Sequence, residues 1–445
     1  MVEWLLYLLA LLHPPLRYSL YPSQVMLAWT EHESELAVRW STGLPLAGAQ
    51  LQYRPFQCGD APLPSQAWQQ GPVSWKQFSD KGTWVTAHVL YTGFMQALNS
   101  SCLYEYQVGT GVFLSQVYTA PGRTPGTGTG PVRLIVYGDM GAGRFSELTR
   151  SHLKEYIARE PVDGILHLGD IAYNLDWYKG RLGDEFLNEL EGIADKVPYM
   201  LCPGNHEHSD NFTHYKERFR MPWNEANEGS NMFYSFSIGQ LHVVMYNTEL
   251  TRYGTNWEMT RQKTWLVEDL RQINATREQV PWLVLAGHKP FYCNPDWTLP
   301  WEDDFYSQQT NQDCHVETHD LREIYEDLAY HYSVDAVLAG HIHKYERHAP
   351  AYHNMSIPSE RDEFNAHWNA RAPVHLLSGA AGCRLGDSPL SRTPMPWSRV
   401  DSLGRGFGVL TVFNNTHMLW QQFSSFDQSQ LDYVWIVKSK PRYSI

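Results

Sequence analysis

Val132-Arg-Leu-Ile-Val-Tyr-Gly-Asp-Met-Gly141 runs an apolar strand straight into a glycine and a carboxylate. Gly164-Ile-Leu-His-Leu-Gly-Asp-Ile-Ala-Tyr-Asn174 repeats the device. Leu241-His-Val-Val-Met-Tyr246, Trp282-Leu-Val-Leu-Ala286 and Ala336-Val-Leu-Ala339 read as further strands. Near-continuous apolar runs fit strands buried on both faces. Helical stretches lie between several of them, at Phe145 to Arg159 and at Thr260 to Ile273, the second with Trp265, Leu266 and Leu270 apolar. Apolar strands alternating with helices predict an α/β domain whose sheet is covered on both faces.

Upstream the period changes. Glu35-Leu-Ala-Val-Arg-Trp40, Ala49-Gln-Leu-Gln-Tyr53, Thr83-Trp-Val-Thr-Ala-His-Val-Leu-Tyr91 and Leu103-Tyr-Glu-Tyr-Gln-Val108 alternate with period two. With turn residues between the runs, residues 22–121 read as an antiparallel sandwich. Residues 122–130, rich in Gly and Pro, read as a linker. The α/β domain then spans 131–438. At 445 residues, two domains are expected.

The strands end in five polar motifs: Gly138-Asp139-Met140-Gly141, Gly169-Asp170-Ile-Ala-Tyr173-Asn174, Gly204-Asn205-His206-Glu207, Gly287-His288-Lys289-Pro290 and Gly340-His341-Ile342-His343. Glycine lets the backbone turn sharply and approach an ion closely. Groups at strand C-termini of an α/β sheet gather in one crevice. A single Gly-Asp is as readily a loop cap as a ligand, but five motifs in this context point to a site. The residue types suit two metal ions. Asp170 has two carboxylate oxygens and can bridge them. Asp139 and Tyr173 offer hard oxygens that favour Fe(III). A phenolate is a poor ligand at neutral pH unless a strongly charged ion lowers its pKa. The imidazoles of His288, His341 and His343, with the Asn205 amide, suit Fe(II), Zn or Mn.

These five motifs resemble those of the purple acid phosphatases, a branch of the calcineurin-like metallophosphoesterases. The resemblance runs from about residue 22 to 438 and includes the tail from about 372. Around Gly204 to Tyr215 and Gly340 to Arg347 it is closest to the animal iron/zinc form. It implies a fibronectin-like N-terminal sandwich and a catalytic β-sheet sandwich flanked by helices. It also implies Fe(III) held by Asp139, Asp170, Tyr173 and His343, and a second ion held by Asp170, Asn205, His288 and His341. The implied activity is acid hydrolysis of small phosphate monoesters. A trivalent ion acidifies bound water, so hydroxide survives in acid and attacks phosphorus. His206, beside Asn205, is the candidate acid and phosphate donor. Two alternatives stand: a phosphodiesterase or pyrophosphatase on the same metals, and a secreted binding protein that keeps the fold. Plant members carry further His residues shortly after the motif that matches His288. Here Phe291-Tyr-Cys-Asn-Pro-Asp-Trp297 has none, which leaves His315, Asp296 or another loop group as alternatives.

Neighbouring residues read more plainly. Glu207 reads as a group that orients a neighbour. His167 and His242 read as core, and His208 and His214 as surface or loop. Lys344-Tyr-Glu-Arg347 reads as a structural salt bridge rather than a phosphate clamp. The Trp297–Trp301 loop reads equally as a pocket rim or as packing.

Charge and cysteine usage bound the setting. The net charge is −13 with no long basic run, which argues against nucleic-acid binding. Phosphate affinity must then come from a locally positive site, and bound cations supply one. Met1-Val-Glu-Trp-Leu-Leu-Tyr-Leu-Leu-Ala-Leu-Leu12 fits a signal-peptide core within residues 1–21. No other apolar run is long enough to anchor the chain in a membrane. Sequons at Asn99, Asn211, Asn274, Asn354 and Asn414 fit a glycoprotein, secreted or lysosomal. Cys58–Cys102 and Cys293–Cys314 are plausible disulfides, leaving Cys202 and Cys383 as thiols or a third pair.

Overall fold

Alternation builds the N-terminal unit. The structure, a computed structural model, describes residues 20–439 except 46, 81–87, 127–129, 296–312, 384, 389 and 392–393. Most of the apolar leader, part of the Thr83–Tyr91 run, Asp296 and the Trp297–Trp301 loop lie outside the described residues. Strands Ser23–Trp29, Leu36–Thr42, His88–Met95 and Val73–Phe78 form one antiparallel sheet in that order. Tyr118–Pro121, Cys102–Thr110 and Ala49–Cys58 form the core of a second. Along Cys102–Thr110 the side chains of Cys102, Tyr104, Tyr106 and Val108 are buried while Leu103, Glu105 and Gln107 are not. That is the period of a strand with one face on a core. Trp40, Leu51, Tyr91 and Tyr106 fill the space between the sheets. A Cys58–Cys102 disulfide joins the paired strand ends.

The described part of the Gly/Pro stretch is pinned. Gly122 N–H donates to Cys102 O at 2.8 Å and Gly126 N–H to Ser237 O at 2.8 Å. Thr124 is buried.

Beyond it, two sheets pack face to face. Tyr199–Cys202, Gly164–Leu168 and Val132–Tyr137 run parallel in the first. The C-terminal strands Gly406–Val412, His417–Ser424 and Gln430–Val437 extend it antiparallel. In the second, Leu241–Met245, Trp282–Ala286, Ala336–Ala339 and Val374–Ser378 run parallel. Trp282, Val284 and Ala286 face the first sheet, while Leu283 and Leu285 face helices on the outside. Both faces are covered, which is why the run is continuously apolar.

Helix Asn256–Ala275 lays Leu266, Leu270 and Ile273 on that outer face. It starts four residues before the expected Thr260, because Thr255 caps it. Thr255 Oγ1 accepts from Glu258 N–H, and Glu258 returns a bond from the Thr255 N–H. Helix Glu147–Arg159 begins after Phe145, and the Ser146 hydroxyl before it donates to Gly141 O at 2.8 Å.

His167 and His242 are buried, as expected. His214 is not the surface or loop group expected. It is buried on helix Ser209–Arg218, with Nε2 3.1 Å from Asp80 of the sandwich. Its partner stands 134 residues away, beyond the reach of local patterning. Arg347 is buried and bonds Asp432 through Nε at 2.7 Å and Nη2 at 3.1 Å, a structural ion pair. Among the described residues no helix is long and apolar enough to cross a membrane.

Candidate metal centre

Each parallel strand stops where its backbone must turn, and the turns from both sheets meet. Close approach is the reason two of the glycines are glycine. A Cβ on Gly204 would overlap the Asp170 carboxylate and main-chain N, and one on Gly340 would stand 2.6 Å from Asp139 Oδ2. All seven side chains proposed as ligands come together there, in two groups.

In the first, the Tyr173 hydroxyl lies 3.0 Å from Asp139 Oδ1 and 2.8 Å from His343 Nε2, and His343 Nε2 lies 3.5 Å from Asp139 Oδ1. In the second, His288 Nε2 lies 3.0 Å from Asn205 Oδ1, 3.3 Å from Asp170 Oδ1 and 3.2 Å from His341 Nδ1. Donor atoms about 2.1 Å from one ion stand about 3.0–3.5 Å from each other in tetrahedral or octahedral arrangements. The separations in both groups, 2.8–3.5 Å, lie close to that spacing, so the donor set fits a pair of ions. Asp170, His288 and His341 in particular bring their ligand atoms within 4.8 Å of one another.

The far nitrogen of each imidazole fixes its orientation. His288 Nδ1 donates to Leu168 O at 2.7 Å and His343 Nδ1 to Gly386 O at 2.9 Å, which leaves each Nε2 as a ligand atom. His341 is turned the other way, with Nδ1 inward and Nε2 3.4 Å from Glu317 Oε2. Main-chain N–H groups hold the carboxylates. His341 N–H donates to Asp139 Oδ2 at 2.7 Å and His206 N–H to Asp170 Oδ1 at 2.9 Å. Glu207 is buried and accepts from the N–H groups of Asp170, Ile171 and Gly204 at 2.9–3.0 Å. It ties the Asp170 turn to the Asn205 turn.

Burial pushes the Tyr173 phenol well above its ordinary pKa, and the neighbouring Asp139 adds to this. A tyrosinate here therefore requires a strongly charged cation. Burial lowers the His206 pKa, with Asp170 opposing. His206 reaches the open side, its side chain 25% exposed, with Nε2 3.9 Å from Asp170 Oδ2. Its Nδ1 lies 2.7 Å from the Asn174 amide. With the amide nitrogen towards His206, the amide oxygen accepts from Trp177 Nε1 and both groups are satisfied. Nδ1 is then an acceptor, and the ring proton sits on Nε2.

Sequence reasoning missed four contributors. Asn174 stands inside a recognised motif, yet its role depends on how the chain folds back to His206. Glu317 and Lys289 meet beside His341 at 2.8 Å. The buried thiol of Cys383 borders both Tyr173 and His343. No local pattern marks Glu317 or Cys383. His315 is exposed. Cys293–Cys314 is a disulfide, and Cys202 is a buried thiol. Of the sequons, Asn99, Asn211, Asn354 and Asn414 are exposed and Asn274 is half-buried.

Comparison with known proteins agrees in two places along the chain. Residues 132–345 match the calcineurin-like phosphoesterase family, and residues 372–433 match the family described as iron/zinc purple acid phosphatase-like protein C. Human acid phosphatase type 7 is 33% identical over 424 residues, covering 94% of this chain and 91% of that protein. A probable purple acid phosphatase of Arabidopsis thaliana is 30% identical over 349 residues, covering 76% of this chain and 72% of the relative. The fold is similar to that of a purple acid phosphatase from yellow lupin seeds, with a TM-score of 0.77 at 22% identity. That match covers 94% of this chain and 74% of the lupin chain.

Proposed function

The chain belongs to the purple acid phosphatase family of calcineurin-like metallophosphoesterases, and we propose that it hydrolyses small phosphate monoesters at a centre of Fe(III) and one divalent ion, Fe(II), Zn or Mn. One observation carries the choice of iron: the Tyr173 hydroxyl lies between Asp139 Oδ1 and His343 Nε2, at 3.0 and 2.8 Å. A buried phenol beside a carboxylate ionises only against a strongly charged ion. Asp139, Asp170, Tyr173 and His343 hold the ferric ion. Asp170, Asn205, His288 and His341 hold the other. When bound, the ions acidify a water and neutralise charge on the phosphoryl group.

The protein supplies position and protons. Asn174 fixes the His206 tautomer, so Nε2–H donates to a phosphoryl oxygen. Donation of that same Nε2 proton to the leaving oxygen is the second role of this nitrogen. Glu207 keeps the Asp170 and Asn205 turns in register. The N-terminal sandwich, fibronectin-like in this reading, supports the turns from outside. Two disulfides and the apolar Met1–Leu12 run favour a secreted or lysosomal glycoprotein.

The test is metal analysis with the visible spectrum of wild type and Tyr173→Phe. Wild type should contain iron and absorb in the visible, and the variant should lose that band. An active enzyme without iron or colour would overturn the ferric assignment. Faster turnover of a bis-nitrophenyl diester than of a nitrophenyl monoester would replace the monoesterase reading with a diesterase on the same metals.

A further inference from the structure

His341 differs from the other two imidazoles in what stands behind it. His288 and His343 give their outer nitrogens to main-chain carbonyls. His341 Nε2 faces a carboxylate, Glu317 Oε2, at 3.4 Å. That carboxylate is fixed on both oxygens. Lys289 Nζ reaches Oε2 at 2.8 Å, and Arg252 Nη1 reaches Oε1 at 2.9 Å. Lys289 is buried and reaches a second carboxylate, Glu249, at 3.0 Å. Glu249 is fully buried and accepts from Thr248 Oγ1 at 3.0 Å. The result is a continuous row of charges, Glu249, Lys289, Glu317, His341, that ends at the candidate ligands.

We propose that Glu317 is a positioning residue that holds His341 by its outer nitrogen and thereby sets how tightly the divalent ion is retained. The inference rests on the two-ion reading above. A carboxylate facing Nε2 favours the ring proton on that nitrogen and leaves Nδ1 without one, and Nδ1 is the atom that faces His288 Nε2 at 3.2 Å. It also makes that nitrogen a stronger donor than a carbonyl partner does, because the negative charge stabilises positive charge on the ring. The backbone is built to deliver it. Glu317 lies three residues after Cys314, whose disulfide to Cys293 anchors the segment to the strand end that carries His288. The ferric group has no part in this row, so the two ions should respond differently to its loss.

The experiment uses the full-length enzyme stripped of its divalent ion. Zinc is titrated back against a competing chelator, with iron content and the visible band followed in the same samples. Glu317→Ala should weaken zinc retention by about 10–100-fold, as loss of such partners does. Glu317→Gln, nearly isosteric and still an acceptor, should weaken it less. Iron and the visible band should stay at the wild-type level in both. Arg252→Ala removes a partner of Glu317 without touching His341 and should hold zinc within a few-fold of wild type. Wild-type zinc affinity in Glu317→Ala would overturn the inference, as would equal loss of iron and zinc. So would an Arg252→Ala variant as weak as Glu317→Ala. A wild type that takes up iron alone would overturn the two-ion reading itself, and this inference with it.

Discussion

Four of the converging residues sit on left-handed backbone: φ is 61° at Asp139, 51° at Asp170, 57° at Tyr173 and 73° at His341. For a residue with a Cβ, such a conformation costs on the order of 1–3 kcal/mol and persists only where the surroundings enforce it. Here the surroundings are main-chain N–H groups on the carboxylates and the close contact of Gly204 with Asp170. Gly204→Ala tests the arrangement at this scale. The new Cβ meets Asp170 main chain as well as its carboxylate, so no rotamer change relieves it. Asp170 must move. Displacements near 1 Å cost about a hundredfold in rate, so kcat/KM on a nitrophenyl monoester should fall by about that factor. Far-ultraviolet circular dichroism should stay native, and an active variant would mean that the turn yields.

Elements that adjoin the candidate site also hold the two sheets in register. Strand Tyr345–His348 of the second sheet is tied to strand Gln430–Val437 of the first through Asp432. That carboxylate accepts from Arg347 Nε at 2.7 Å and from the Tyr345 hydroxyl at 2.7 Å. Arg347 is completely buried. Removing one partner of a buried pair leaves an uncompensated charge, at a cost of about 3–5 kcal/mol. Asp432→Ala should therefore lose activity at a clearly lower urea concentration than wild type, while kcat per folded molecule stays unchanged. A fall in kcat at full stability would instead restore Arg347 as a phosphate clamp. The choice between clamp and ion pair was open to sequence reasoning only as a matter of weight, because Asp432 is remote in the chain.

At the scale of the whole molecule, the sandwich braces the segment that carries Asn174 and His206. Asp184 receives His88 Nε2 of the sandwich at 2.9 Å and Arg218 Nη1 at 2.7 Å. Arg218 in turn bonds His214 Nδ1 at 3.2 Å, and His214 meets Asp80. Leu27 N–H also donates to Ala194 O at 2.8 Å. Burial works against ionisation of Asp184, but His88 and Arg218 prevail and hold its pKa at about 2, below the ordinary 3.8. A carboxyl depressed in the folded state stabilises above its unfolded pKa and loses that stabilisation as pH falls through the folded value. Asp184→Asn should thus cost about 2 kcal/mol at neutral pH. The deficit should shrink below about pH 4 and vanish near pH 2, as read from urea unfolding across that range. A deficit independent of pH would mean that the carboxylate charge is not what joins the two units.

The residue types at the strand ends, the two-sided burial of the strands and the change of period near Pro121 were all legible in the sequence. Each is a local pattern: period two, an apolar run, a glycine before a ligand type. The start of helix Asn256–Ala275 is legible too, in the Thr255–Glu258 spacing of a capping box. Only the tertiary structure decided which nitrogen of His341 faces inward and that Glu317 stands behind it. It alone turned Asn174 to His206, brought Cys383 beside Tyr173 and buried His214 against Asp80. These facts depend on contacts between segments distant in the chain, and the energy of such contacts is set by where folding brings the side chains, not by the spacing of letters along the sequence.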